Sequence, residues 1–336
     1  MRQEADQAPA AVARLLAAEA GALAELGAEL RAQPPSSLLT VARGSSDHAA
    51  LYLAYLVMAR IGRLVTSLPM SLITLYQSAL VCDGLTALAY SQSGQSPDLV
   101  APIEYLGRQG ARTVAFVNDT ASPLARAAQR CIGLHAGAER SVAATKSFIC
   151  QLAAGAALTA SWKQDLEFGA ALAELPQALD RARLQDWHAG VEALRDSDRL
   201  YVIGRGIGLA VAMEAALKLK EVCGIQAEAY SGAEVQHGPM ALVEAGFPML
   251  VFAPRGPAQP GLLLLARQMR ERGARVLVAA PSGTPGSALQ LTPAGHADLD
   301  PIAAIQSFYA MVEALARARG LDPDQPRHLH KVTRTR

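Results

Sequence analysis

The sequence predicts an α/β protein: two tandem doubly wound parallel-sheet domains preceded by an N-terminal helical extension. Two observations carry this. The chain repeats itself: the turn Arg43-Gly44 returns as Arg205-Gly206, 162 residues later, and the phrase Gly110-Ala111-Arg112 returns as Gly273-Ala274-Arg275, 163 residues later. Two features at nearly one offset mark an internal duplication. Within each copy, short apolar runs alternate with helical periodicity, the pattern of a parallel sheet covered by helices on both faces.

The elements follow in order. Residues 1–33 read as Ala-rich helix packed outside the first domain and ended by Pro34-Pro35. Residues 34–160 make the first domain: a strand over 38–42 enters the turn Arg43-Gly44-Ser45-Ser46 and a helix over 48–61, and a strand over 85–90 enters a second polar turn and helix. Residues 161–195, polar and helical with Pro176 inside, link the halves. Residues 196–320 make the second domain, with strands over 200–203 and 249–253 and a helix over 209–222, and residues 321–336 form a tail. In such sheets ligands sit at the carboxyl ends of the strands, near the point where strand order reverses. The turns after the strands are where chemistry is sought.

Composition narrows the class. With 51% hydrophobic and 18% charged residues the chain is ordered and globular, and a net charge of +1 argues against nucleic-acid binding, which needs a basic surplus. Cys82, Cys131, Cys150 and Cys223 form no C-x-x-C pair, which suits a reducing compartment rather than a disulfide or zinc framework. No secretion signal and no apolar run of about 18 residues is visible, so the expectation is a soluble cytoplasmic protein with no membrane contact. Only five of the 31 basic residues are lysine: Lys146, Lys163, Lys218, Lys220 and Lys331. Where arginine serves the surface, lysine is retained for its compact, titratable ammonium.

Two of those lysines fall in the most informative stretch, 214–239. Glu214, Lys218 and Glu221 are spaced to share one helix face, and His237 follows in a loop ending at Gly238-Pro239. A carboxylate, a cation and an imidazole suit proton transfer beside a sugar carbonyl; a solvated Glu/Lys face would show the same spacing. The turn after 90 reads Ser91-Gln92-Ser93-Gly94-Gln95-Ser96-Pro97 and leads into a helix, with Pro97 in its first turn. Its hydroxyls and helix N-terminus fit a phosphate, as do Gly44, Ser45 and Ser46 at the other strand end; ordinary N-capping by serine is the competing explanation. The corresponding turns of the second half have no serine, and Gly204-Arg205-Gly206 completes no dinucleotide fingerprint.

Taken together, G-S-S at 44–46, S-Q-S-G-Q-S at 91–96, S-V-A-A-T-K-S-F at 141–148, A-L-K-L-K-E at 216–221, A-E-A-Y at 227–230, H-G-P at 237–239 and D-Q-P-R-H-L-H-K at 324–331 resemble the sugar isomerase (SIS) family, and within it the isomerase half of glutamine-dependent glucosamine-6-phosphate synthases. The resemblance implies phosphate contacts from Ser46, Ser91, Gln92, Ser93 and Ser96, with Gly44 and Ser45 in the same turn. It implies that Glu221 shuttles a proton between C1 and C2 of the open-chain sugar. His237 would assist ring opening, reaching a neighbouring subunit's site; Lys331 would sit against the carbonyl and Lys218 would support the enolic charge. Val142 and Ala144 would approach the sugar through their backbone. A homodimer with shared active sites follows from the same resemblance. The usual C-G-T-S turn is here Arg43-Gly44-Ser45-Ser46, and the usual serine before Thr145 is Ala144.

No glutaminase domain stands upstream, and Met1 to Pro9 resembles the linker that opens the isomerase half. The expectation is therefore a self-contained deaminase: glucosamine 6-phosphate and water give fructose 6-phosphate and ammonia. Glu221 would act as the carboxylate, with Lys218 favouring that state. No metal or other cofactor is expected, since the histidines and cysteines offer no ligand spacing. Competing expectations are an aldose–ketose phosphosugar isomerase, a galactosamine-6-phosphate deaminase and a non-catalytic sugar-phosphate-sensing module. A sensor of that kind needs only the serines.

Overall fold

Apolar runs that alternate with helices become the central strands of two five-stranded sheets. The computed structural model describes residues 1–331; the rest of the expected tail, 332–336, lies outside the described residues. In the first sheet β1 is Ser37–Val41, β2 Val65–Ser67, β3 Leu85–Ser91, β4 Arg112–Val117 and β5 Arg130–Gly133. In the second, β6 is Arg199–Gly204, β7 Gln226–Ser231, β8 Pro248–Phe252, β9 Arg275–Pro281 and β10 Leu289–Leu291. The orders are β2-β1-β3-β4-β5 and β7-β6-β8-β9-β10, and every pairing is parallel. The duplication read from the sequence is thus a duplication of topology. In each sheet the order reverses between the first and third strands of its half: β1/β3 and β6/β8.

The chain forms two compact units, which interleave in sequence. One comprises Ala10–Glu139, Lys146–Ala173 and, of the described tail, His330 and Lys331; the other comprises Met1–Pro9, Arg140–Thr145 and Glu174–Leu329. The expected N-terminal extension is three helices, Arg2–Asp6, Ala8–Ala18 and Ala20–Ala32. The first belongs to the unit of the second sheet, where Gln306 Nε2 donates to Ala5 O at 3.0 Å. The linker divides into Leu166–Ala173, Leu175–Ala182 and His188–Leu194, and Pro176 stands in the first turn of the middle helix, where its missing N–H costs nothing.

The first core stacks Tyr90 on Phe116, ring centroids 4.7 Å apart, beneath the helix Lys146–Lys163, which is buried on nearly all sides. An apolar helix of that kind belongs inside a domain. The second core packs Tyr201, Ile203, Met249, Val251 and Val278 against the helix Gln259–Glu271. Gly204 ends β6 where a Cβ would lie 2.6 Å from Gly208 O and 2.9 Å from Ala212 Cβ, so the glycines of this turn serve close strand–helix packing. The cysteines are free thiols; burial pushes Cys150 up and Cys223 up to about 12, which leaves both unreactive. Among the described residues no helix is long and apolar enough to cross a membrane.

Candidate active site

The β1 and β3 turns meet at the reversal point of the first sheet, because those strands are neighbours whose chains leave in opposite directions. Gly44 precedes the helix Ser45–Arg60, so Ser45 and Ser46 occupy its first turn. Ser96 precedes the helix Pro97–Arg108, with Pro97 in the first turn as expected. Arg43 ties the two turns together: its Nε donates to Asp98 Oδ2 at 3.2 Å, and Asp98 is buried in the first turn of the second helix. Arg43 thus has a structural use in this turn.

The hydroxyls are oriented. Gln151 Nε2 donates to Ser46 Oγ at 2.9 Å, Gly94 N to Ser91 Oγ at 2.9 Å and Gln95 N to Ser93 Oγ at 3.3 Å. Each oxygen already accepts one N–H, so each O–H remains to be donated, which is the polarity an anion requires. Ser96 makes no capping hydrogen bond with its side chain, so capping does not account for it. Backbone N–H groups and the dipoles of two helix N-termini add to the same field.

Gly94 makes this turn possible. Its φ is +64°, and an added Cβ would overlap Ser122 Oγ and lie 2.9 Å from Val117 Cγ2. Gly94→Ala is expected to lose about 1–3 kcal/mol of stability. The change should also weaken phosphate binding, because the Gly94 N–H positions Ser91. Urea unfolding and phosphate titration of the variant check both effects.

In the unit of the second sheet, the helix Leu209–Cys223 is rich in strong helix formers, Ala, Leu, Lys and Glu. It is an interior helix, with Val211, Ala215, Leu219 and Val222 all buried. The Glu214–Lys218–Glu221 face is therefore no solvated surface: the Glu214 and Lys218 side chains are 0% and 1% exposed, while Glu221 is 21% exposed. Lys218 Nζ lies 2.6 Å from Glu221 Oε2 and 3.3 Å from Glu214 Oε1, and Tyr309 Oη donates to Glu214 Oε1 at 3.2 Å. Burial alone would push the Lys218 ammonium down; the two carboxylates more than reverse that and hold its pKa above the ordinary lysine value. Lys218 is thus a fixed cation.

Glu221 also lines a cavity of about 950 Å³, together with Lys220, Cys223, Arg319, Asp322 and His328. Arg319 closes the helix end there, donating to Cys223 O at 2.8 Å and Ser197 O at 2.9 Å. Oε2 of Glu221 is held by Lys218, and among the described residues no hydrogen bond to its Oε1 is found. His237 follows the short 3₁₀ turn Glu234–Gln236 and is exposed. Val142 and Ala144, expected to approach the sugar through their backbone, are half-buried, and the Val142 N–H donates to Asp324 O at 3.4 Å. Lys331, in the unit of the first sheet, pairs with Glu139 at 3.6 Å.

The reversal point of the second sheet is filled differently. Arg255 Nε and Nη2 grip Asp300 at 2.7 and 2.8 Å, and Nη2 also donates to Ala294 O at 2.6 Å. An internal ion pair stands where the first sheet offers hydroxyls. Spacing alone left Glu214 and Glu139 unassigned as partners of the two site lysines. Glu214 carried a signal, four residues before Lys218; Glu139 carried none.

The sequence profile of the SIS domain matches residues 33–161 and 193–316, one match on each sheet. The chain belongs to the SIS family. Among curated SIS relatives, the glutamine–fructose-6-phosphate aminotransferase (isomerizing) of Aeropyrum pernix is 38% identical over 315 residues, covering 88% of this chain and 50% of that protein. That of Thermus thermophilus is 32% identical over 325 residues, covering 91% and 53%. The chain thus spans about half the length of the curated relatives it matches. Among solved structures, a candidate phosphosugar isomerase from Silicibacter pomeroyi superposes with a TM-score of 0.91 at 47% identity, covering 96% of this chain and 99% of that one. The C-terminal domain of the Francisella tularensis glucosamine-fructose-6-phosphate aminotransferase shares the fold, with a TM-score of 0.83 at 23% identity, covering 96% and 97%. The SIS fold accounts for the paired sheets, and the serine turns follow β1 and β3, the carboxyl strand ends where sheets of this kind take ligands.

Proposed function

We propose that the chain deaminates an amino-sugar phosphate: glucosamine 6-phosphate and water give fructose 6-phosphate and ammonia. One observation carries the reading. Glu221 has one oxygen fixed by a buried ammonium and lines a cavity, an arrangement that suits a general base able to return the proton it takes. The names of the curated relatives, which couple fructose 6-phosphate, amine transfer and isomerisation, supply the substrate class.

The proposed steps balance. The serine hydroxyls and helix N-termini hold the phosphate, and His237 assists opening of the ring. Lys331 polarises the C1 aldehyde while Glu221 removes the C2 proton, giving an enolamine whose developing negative charge faces cations. Glu221 then returns the proton to C1, O1 keeps a proton taken from solvent and the amine gives one up, leaving a C1 hydroxyl and an imine at C2. Water adds to that carbon, the C–N bond breaks and ammonia departs. Water is in vast excess over free ammonia, so mass action favours release.

The test is ammonia release from glucosamine 6-phosphate in D₂O, with the fructose 6-phosphate product read for deuterium at C1. No ammonia release would overturn the deaminase reading, while the share of label at C1 reports how far the proton held by Glu221 exchanges with solvent before its return. The Silicibacter neighbour favours one other reading, aldose–ketose isomerisation without an amine. Conversion of glucose 6-phosphate with no ammonia from the amino sugar would establish that reading instead.

The proposed assembly is a homodimer in which each His237 serves the neighbouring site. His237 is exposed, and Leu242 beside it, at the end of Pro239–Leu242, is 62% exposed. If so, mixing inactive Glu221→Gln and His237→Asn chains after dissociation should restore part of the activity, because some hybrid sites hold both native residues. No recovery in verified hybrids would place His237 in its own chain's site.

A further inference from the structure

We propose that Glu139 is the positioning residue for Lys331: a buried carboxylate that fixes the tail ammonium at the sugar carbonyl. This rests on the reading of Lys331 just given. The Glu139 side chain is 0% exposed, and its Oε2 lies 3.6 Å from Lys331 Nζ, which is itself 26% exposed. The carboxylate is held from behind by Ser147, whose N–H reaches Oε1 at 3.2 Å and whose Oγ donates to Oε2 at 2.5 Å. Ser147 is the second residue of the helix Lys146–Lys163, so the anion sits at that helix's N-terminus. Beside it, Lys146 is buried and donates to Ala138 O at 2.6 Å. All of these contacts lie within the unit of the first sheet.

The physical case is one of opposed costs. A tail lysine carries four rotatable bonds and loses considerable entropy when held in one place. A carboxylate taken fully out of water is unfavourable unless it is paired and hydrogen-bonded. Together they offset one another: Ser147 and the helix end fix the anion, and the anion fixes the cation. Lys331 is the solvent-facing end of this relay, the one member able to meet a ligand.

A simpler role for Glu139, as a cap on the Lys146–Lys163 helix, makes different predictions. Limited acylation with an N-hydroxysuccinimide ester, read by mass spectrometry, reports the freedom of each lysine directly. Glu139→Gln should label Lys331 about fivefold faster than the native chain, with the exposed Lys163 and Lys220 unchanged as internal controls. Glu139→Asp, which keeps the charge, should restore much of the protection. Ser147→Ala loses the Oγ bond to Oε2 but keeps the backbone N–H to Oε1, so Lys331 should be labelled less readily than in Glu139→Gln.

In turnover, Glu139→Gln should lower kcat on the order of 10²-fold with KM little changed. On a Lys331→Met background the same change should cost no more than about twofold, since its effect is exerted through the lysine. Unchanged Lys331 labelling in a folded Glu139→Gln protein overturns the proposal, and so do fully additive losses in kcat. Faster labelling in a protein that turns over no phosphosugar would overturn the reaction while the Glu139–Lys331 anchor stood.

Discussion

Replacing Glu221 with Gln is expected to lower kcat about 10³-fold while KM and melting temperature stay near those of the native chain. The geometry separates the three quantities. Glutamine keeps the shape of the side chain and an oxygen for the 2.6 Å contact with Lys218, and Lys218 retains Glu214. The position is partly open to solvent, so no large packing term changes. Phosphate binding is assigned to hydroxyls on a different sheet, so affinity should survive. What glutamine lacks is the basic oxygen pair that can take a proton from carbon and give it back. Loss of ammonia release together with loss of C1 deuterium would identify the base. Deuterium exchange within tenfold of native would remove Glu221 from that role and leave the cavity without an assigned base.

The two sheets were legible because their central strands are two-sided apolar runs and the duplication repeats their turns at one offset. The edge strands were not. β2, Val65–Ser67, and β10, Leu289–Leu291, are three residues each, too short to carry a period, and they exist because a neighbouring edge offers partners. The serine turns were legible as candidate anion turns because hydroxyls, glycine and a helix start stand together in the chain. Their polarity was not, since it depends on Gln151 arriving from another helix. The scarcity of lysine pointed in the right direction: Lys146 and Lys218 are nearly fully buried, whereas Lys163 and Lys220 are exposed. It could not say that two buried carboxylates, Glu139 and Glu214, hold the lysines assigned to the site. Burial of a charge is decided by tertiary packing, and the spacing of Glu214, Lys218 and Glu221 is the same on a wet helix as on a dry one.

Lys218→Met should be the most destabilising single change at the site, lowering unfolding free energy by about 3–5 kcal/mol. Methionine fills nearly the same volume, so the cost is not a cavity. It is the loss of the ammonium beside Glu214, whose carboxylate is fully buried and accepts from the Tyr309 hydroxyl. The remedy follows from the cause. Glu214→Gln on the Lys218→Met background removes the stranded charge while keeping an acceptor for Tyr309, and it should recover most of the loss. A double-mutant cycle in urea therefore shows strong coupling between the two positions. The pH dependence has a definite sign. Because the pKa of Lys218 is raised in the folded state, its stabilisation is fully present below the ordinary lysine value of 10.5 and is lost only as pH rises through the higher folded value. The gap between native and Lys218→Met proteins should accordingly be constant across neutral pH and close only at strongly alkaline pH. A gap under about 1 kcal/mol at neutral pH would mean that the carboxylates find compensation elsewhere, and the fixed cation beside Glu221 would lose its structural basis.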